Sequence, residues 1–245
     1  MTFQTTRWSL ILRAQQPGAA GHAALGELCA AYQAPVYAFF RRQGAKQDLA
    51  AELTQGVFTD LLERDSLRTA DPQRGRFRAF LKTCARHWWS NERERAGAAK
   101  RGGGQRPLAI DTDAVETWLA EIAVDHLDAD ALFERRWAQT VIDRALWQLE
   151  QDELAAGRQA LFAELKPMLD GSAPKQPWDV LADRLGTTEG ALRVAAHRLR
   201  VRCRELLIAE VKDTLPDDHD PGHELQELLA ALQASSTRRN SAETR

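Results

Sequence analysis

Apolar residues recur at intervals of three and four along most of the chain. No stretch alternates with period two over β-branched residues, so helices are predicted nearly throughout. Leu25, Leu28 and Tyr32, followed by Val36, Phe39 and Phe40, predict a first long helix that is bent or split at Pro35, where no backbone donor exists. Leu49, Leu53, Val57 and Leu61, each four apart, line a second helix with Phe58 and Leu62 beside them. The two are expected to pack as a hairpin around Gly44. A third helix over residues 76–96 carries Phe77, Leu81, Cys84 and Trp88 on one face and Arg78, Lys82 and Arg86 on another, buried on one side and cationic on the other. A short helix near 115–124 follows, then a long one over 132–149 marked by Leu132, Phe133, Trp137, Val141, Ile142, Ala145 and Leu149.

The pattern is most specific between Trp178 and Leu206. A short amphipathic segment ends at Gly186, Thr188 suits an N-cap, and a long helix restarts, which is the layout of a helix-turn-helix. In the second helix Leu192, Ala196, Leu199, Cys203 and Leu206 share a core-facing side, leaving Arg193, His197, Arg200 and Arg204 on another. A helix of this kind can enter a major groove with cations toward phosphates and base edges. A solvated basic helix in an ordinary bundle would carry the same pattern.

Charge sharpens that picture. The chain has 245 residues, 44% apolar and 28% charged, with a net charge of −2. That near-neutral total hides opposed blocks. Arg74 to Arg106 holds ten basic residues against Glu92 and Glu94, whereas Pro107 to Gln139 holds eight acidic residues against Arg135 and Arg136. A second basic cluster at Arg193, Arg198, Arg200, Arg202 and Arg204 precedes an acidic stretch around Asp217, Asp218 and Asp220. Two basic patches separated by an acidic connector fit a two-lobed polyanion binder. Lys100-Arg101-Gly102-Gly103-Gly104-Gln105 reads as a flexible junction, since no strand and no Lys-Ser/Thr of a phosphate loop accompany its glycines.

Several classes are excluded or disfavoured. No apolar run approaches the roughly 18 residues that suggest a membrane span, so no membrane partner is expected. Residues 1–8 lack the basic start and apolar stretch of a secretory signal, which predicts a cytoplasmic address. Cys29, Cys84 and Cys203 lie far apart and read as buried thiols; neither a metal site nor a cofactor motif is expected. The six histidines have no local acid or thiol partner, so no catalytic residue is assigned and the protein is not expected to be an enzyme.

The segment from Thr188 through Ala191-Leu192-Arg193-Val194-Ala195-Ala196-His197-Arg198-Leu199-Arg200 to Arg204-Glu205-Leu206-Leu207 resembles the region-4 helix-turn-helix of extracytoplasmic-function sigma factors of the sigma-70 family. Leu53-Thr54-Gln55-Gly56-Val57-Phe58 resembles the region-2 helix that docks on the RNA polymerase clamp. Gly75-Arg76-Phe77-Arg78-Ala79-Phe80-Leu81 through Asn91-Glu92-Arg93 resembles the part that melts and reads the −10 element. Thr6-Arg7-Trp8-Ser9-Leu10, Leu28-Cys29-Ala30-Ala31-Tyr32 and the Lys100–Gly104 junction resemble a subgroup often linked to Ser/Thr protein kinases. The likeness spans nearly the whole chain in the family's order.

The resemblance implies an all-α protein of two helical domains joined by an acidic linker: an extension over 1–22, a region-2-like domain over 23–100, a linker over 101–131, a region-4-like domain over 132–212 and an acidic extension with a short helix over 213–245. It implies core RNA polymerase and promoter DNA as partners. Upstream-element contacts would come from Thr188, Arg193, His197, Arg198, Arg200 and Arg204; −10 contacts from Arg78, Lys82, Arg86, Trp89, Asn91, Arg93 and Arg95; polymerase contacts from Glu52, Leu53, Gln55 and Phe58. Trp88 is expected to pack, and the apolar helix around Leu225, Leu228, Leu229 and Leu232 to dock on the protein or a partner.

The departures are specific. Where the family has an acidic run, this chain has Leu49-Ala50-Ala51-Glu52, which withholds charge-assisted contacts. Ala195 stands where relatives often carry Arg. Phosphorylation of Thr54, with Thr59 as second candidate, would add roughly 1.5 to 2 negative charges and compensate the depleted run, with a Ser/Thr protein kinase as partner. A mid-helix Thr would otherwise bond the carbonyl four residues earlier. Two other classes fit the same residues: a helix-turn-helix regulator that does not bind polymerase, and a helical adaptor with solvated basic faces.

Overall fold

The computed structural model describes residues 7–16, 18–63, 66–71, 75–97, 111–122, 127–174, 176–212, 215 and 219–233. Among the described residues there are ten α-helices and no strand, so the chain is all-α. It forms two compact units: Met1–Thr140 together with Lys212–Arg245, and Val141–Val211. The glycine junction at 100–105 lies outside the described residues.

The first unit is built on α2 (Ala19–Arg42), packed against α1 (Arg7–Ala14) and α3 (Gln47–Glu63). Pro35 was expected to bend or split this helix; α2 is not split there and runs as one element with Pro35 inside it. Residues 35–40 are all buried, from Pro35 and Val36 to Phe39 and Phe40. Burial over so many side chains outweighs the lost hydrogen bond and ring clash, about 3 kcal/mol. The helix stops at Gly44, which adopts φ +97°. Ala45 N–H bonds the Phe40 carbonyl and Gly44 N–H that of Arg41, both at 3.1 Å, the paired bonds of a Schellman cap. The chain then turns into α3, giving the expected α2–α3 packing.

α4 (Phe77–Gly97) completes the centre of this unit. Phe77 and Leu81 are buried as the periodicity predicts, while Cys84 and Trp88 are half-buried. Phe77 meets Tyr32 edge-on at 5.3 Å, and Tyr32 stacks at 6.4 Å on Trp137 of α6 (Ala129–Ala155). The segment expected as linker contributes α5 (Thr112–Glu121), capped by the Asp111 carboxylate, which accepts from Ala114 N–H at 3.0 Å. Glu116 of α5 accepts from Tyr37 Oη at 2.5 Å and from Arg41 Nε and Nη2 at 2.5 and 2.9 Å, and the Arg136 guanidinium lies 5.1 Å from the Trp118 ring. The described residues 111–122 and 127–131 are therefore part of the first unit, and the unit boundary falls at residue 141, inside α6, instead of at 132.

The second unit comprises the rest of α6, α7 (Gln159–Leu165) with a 3-10 turn Lys166–Met168, α8 (Trp178–Arg184) and most of α9 (Glu189–Lys212). Its core joins Leu149, Phe162, Leu165, Leu181, Leu192 and Leu199. The C-terminal extension returns to the first unit as α10 (Pro221–Gln233), with Leu225 and Leu228 buried. This is the expected docking of the apolar helix on the protein itself.

Two outcomes follow. A Cβ at Gly21 would lie 1.9 Å from the Gln16 carbonyl oxygen at the α1–α2 corner. Gly21→Ala is expected to lower the urea midpoint, at a net cost of about 1–2 kcal/mol, although helix propensity alone favours Ala by about 1 kcal/mol. The hydrogen bond from Arg41, aided by that from Tyr37, holds the Glu116 carboxyl below its ordinary pKa of 4.5. A depressed native pKa stabilises the fold above the ordinary value, and the benefit is lost as pH falls through the native one. The melting-temperature advantage of the wild type over Glu116→Gln should be constant from pH 7 to 5 and shrink below 4.5.

Candidate nucleic-acid interface

The helix-turn-helix is fixed by local backbone chemistry. α8 ends in a second Schellman cap: Thr187 N–H bonds the Ala182 carbonyl at 3.0 Å and Gly186 N–H that of Asp183 at 3.2 Å. Gly186 supplies the φ of +62° this requires, a conformation glycine enters without a Cβ penalty. Two residues later the Thr188 hydroxyl accepts from Ala191 N–H at 3.2 Å and starts α9. The Thr188 role seen here is that of a cap, with the residue exposed at the turn.

From this start α9 separates its faces as the periodicity predicts. Leu192, Ala196, Leu199 and Cys203 are buried and Leu206 is half-buried. Arg193, His197 and Arg204 are exposed and Arg200 is half-exposed; the four follow one another at intervals of four, three and four along a single side. The Arg193 guanidinium lies 5.0 Å from the Trp178 ring, and its Nε and Nη2 donate to Glu189 Oε1 at 2.8 and 2.6 Å. The indole and carboxylate hold the fork at the turn before any ligand arrives. An exposed ion pair of this kind contributes only about 0–1 kcal/mol, so a phosphate or base edge can displace Glu189.

Arg198 does not belong to that side. It lies about 140° round the helix from Arg193 and lines a groove of about 630 Å³ with Val194, Leu161 and Arg158. Arg202 is on the same flank, bound to Asp152 at 3.0 Å. The expected six-residue set therefore divides into a capping Thr188, a stripe of four, and Arg198 apart from them.

In the first unit the three cations expected on one DNA-facing stripe are engaged within the fold. Arg78 is 4% exposed; its guanidinium lies 4.7 Å from the Trp137 ring, its Nε is 2.7 Å from Glu134 Oε2, and Nη2 contacts Glu224. Lys82 Nζ is 2.6 Å from Glu134 Oε1, and Arg86 binds Asp130. The expectation that this side of α4 presents its cations to solvent is corrected for Arg78 and Lys82, whereas Arg86 stays exposed beside its partner Asp130. The acidic side chains of α6 and α10 occupy it, and Arg78 has almost no surface to offer.

The opposite side of α4 is open. A groove of about 310 Å³ is lined by Trp88, Asn91 and Arg95, with Asp60, His87 and Cys84 beside them. Burial raises the Cys84 thiol to about 11, so it keeps its proton at neutral pH and serves as an uncharged wall. Gly56 of α3 allows the Trp88 ring in, since a Cβ there would lie 2.5 Å from Cζ3. The expected contacts Asn91 and Arg95 are thus brought together, and Arg93 is exposed elsewhere on the helix. Trp89 is instead half-buried with its ring 6.4 Å from Phe40, and the aromatics at the groove are Trp88 and Phe80. Trp88 packs against Gly56 as expected and also reaches the groove, while His87 and Asp60 were missed as candidates. The gap in side-chain volume at Gly56, opposite an aromatic, was the available signal.

The expected polymerase-facing set also divides. Glu52 is exposed and Gln55 half-exposed, but Leu53 and Phe58 are buried in the core. Thr54 has no exposed surface, and its Oγ1 donates to the Ala50 carbonyl at 2.7 Å. Ala50, Thr54, Val57 and Leu61 are the centre of the buried side of α3, so phosphorylation would require that helix to leave the core. Thr54 is corrected as a modification site in this fold; Thr59 is half-buried.

Among the described residues no cluster of His, Cys, Asp and Glu could hold a metal, and no helix is long and apolar enough to cross a membrane. No protein-family model, curated protein or solved structure matches the chain. The fold itself therefore defines the class: an all-α chain of two compact units, one of them a helix-turn-helix.

Loss of the Thr188 hydroxyl leaves an N-terminal donor of α9 without its cap. Thr188→Ala is expected to cost about 1 kcal/mol, read from denaturant melts.

Proposed function

We propose that the chain is a sigma factor that binds core RNA polymerase and directs promoter recognition, melting and transcription initiation. The observation that carries the reading is the capped helix-turn-helix of the second unit, with Arg193, His197, Arg200 and Arg204 on one unburied side of α9. The resemblance of three separate segments to region 2 and region 4, in the family's order, supplies the polymerase. Upstream DNA would meet the α9 stripe, cations binding phosphates and the Trp178-backed Arg193 within reach of a base edge.

The −10 element would use the open side of α4. An unstacked base fits a groove with an indole, an amide and a guanidinium, where stacking contributes about 1–3 kcal/mol per base and Asn91 and Arg95 supply hydrogen bonds. Such a protein works by differential binding of the opened strands and needs no catalytic group or cofactor. A cytoplasmic address belongs to the same reading. Control by a Ser/Thr kinase stays within it only through Thr59, because Thr54 is enclosed.

One observation favours a second reading. Leu53 and Phe58 are internal and Leu49-Ala50-Ala51 carry no charge, which leaves little polar surface for a polymerase contact on α3. A helix-turn-helix regulator independent of polymerase fits that depletion.

Run-off transcription with purified core polymerase on a library of promoter fragments separates the two. The sigma reading expects specific transcripts only when the chain is added, and polymerase that copurifies with it. DNA binding without either result favours the regulator, and no salt-dependent DNA binding at all leaves the adaptor. Arg193→Ala and Arg200→Ala should each weaken upstream binding by about 1–3 kcal/mol where they read a base, or flatten the salt dependence where they meet phosphate. Anisotropy titrations at several salt concentrations distinguish these.

A further inference from the structure

Two acidic pairs and a basic ladder interlock on one side of the first unit. Arg78, Lys82 and Arg86 rise along α4 at intervals of four, and Asp130 and Glu134 rise along α6 at the same interval. Glu134 meets Arg78 and Lys82 at 2.7 and 2.6 Å, while Asp130 reaches Lys82 at 3.9 Å and binds Arg86. From α10, Glu224 Oε2 is 2.9 Å from Arg76 Nη2 and Oε1 contacts Arg78, and Glu227 bonds Arg76 at 2.9 Å. A row of cations that would suit a phosphate backbone is thus filled by carboxylates of the same chain.

The α10 part of this arrangement is poorly optimised as a permanent brace. Glu224 is 1% exposed, yet neither of its oxygens makes an aligned hydrogen bond, and Arg78 Nη1 is also without one. A buried carboxylate in ionic contact but without aligned donors retains much of its desolvation cost. The Glu227–Arg76 pair is partly exposed and adds little. The grip of α10 then combines the Glu224 contacts to Arg76 and Arg78 with burial of Leu225 and Leu228, on a helix of 13 residues that is marginal by itself, so losing the carboxylates releases it. A polyanion that binds the cations better than these carboxylates do will shift the population toward an open state.

We propose that α10, with the acidic first turns of α6, is an internal substitute for nucleic-acid phosphate, an autoinhibitory clasp that closes the basic side of α4 until DNA displaces it. The inference rests on reading the first unit as DNA-binding. Opening extends the DNA path from the groove at Trp88 to a second, backbone-binding side of the same helix. If the closed state outweighs the open one about tenfold, apparent affinity is reduced by the same factor.

The test uses the full-length chain, a fluorescein-labelled single-stranded oligonucleotide and a salt series, with amide exchange and run-off transcription in parallel. In Glu224→Gln/Glu227→Gln, residues 221–233 should exchange rapidly, DNA affinity should rise about tenfold, and the salt slope should steepen by about 1.4, the value for two added phosphate contacts on a single strand. Adding Arg76→Gln/Arg78→Gln should cancel the gain. Asp130→Asn, at a site 36% exposed where folding is not at risk, should steepen the slope by about 0.7 without releasing α10. The clasp is overturned if α10 stays protected in the double variant, if it is released while affinity and slope stay at wild-type values, or if Asp130→Asn leaves the slope unchanged. In each of those cases a normal run-off product keeps the sigma reading intact; no DNA binding and no run-off product from any form overturns that reading together with the clasp.

Discussion

Arg78 is the contact on which the first unit depends. A guanidinium cannot enter a protein interior unless its charge and its plane are both accommodated. Here the plane lies over Trp137, which in turn stacks on Tyr32, and the charge is shared between Glu134 and Glu224. One side chain therefore joins α4, α6 and α10, and through Tyr32 it reaches α2. Removing either carboxylate alone leaves an under-compensated cation at the centre of four helices.

Much of the fold was legible because helix periodicity is a property of single residues in order. Leu192, Ala196, Leu199 and Cys203 on α9, and Phe77 and Leu81 on α4, are buried where a period of 3.6 puts them. Gly186 and Thr188 mark the turn through backbone requirements that few other residues satisfy. What periodicity does not encode is which neighbour a polar side meets. Arg78, Lys82 and Arg86 form a stripe whether DNA or carboxylate faces them, and the matching interval between Asp130 and Glu134 was the only sign in the chain of the latter. Thr54 and Phe58 were misplaced for a related reason: α3 buries an arc wide enough to enclose them, and arc width depends on how many helices surround it. Pro35 stands inside α2 because tertiary burial overrode a local preference.

The two units solve the presentation of cations in opposite ways. In the second unit Arg193 is paired only at the surface and backed by Trp178, so its position is defined while its charge stays accessible. In the first unit the stripe is paired with carboxylates, Arg78 and Lys82 are covered, and the other side of α4 opens on the groove at Trp88, where an aromatic wall and two polar side chains converge. The accessible chemistry of the two is accordingly different. One side of α9 suits a continuous duplex backbone, whereas the α4 groove has the size and lining for a single planar group.

The clean division of α9 has a consequence for inheritance. Because α9 packs Leu192, Ala196, Leu199 and Cys203 into the core and Leu206 and Leu207 against it, and the turn is held by Gly186 and Thr188, substitutions at His197, Arg200 and Arg204 leave those hydrophobic contacts untouched. Surface changes of that kind typically alter stability by no more than about 0.5 kcal/mol. Descendants of this chain can change the chemistry presented along that stripe without passing through unfolded intermediates. Arg193, tied to Trp178 and Glu189, is the position where such change meets resistance.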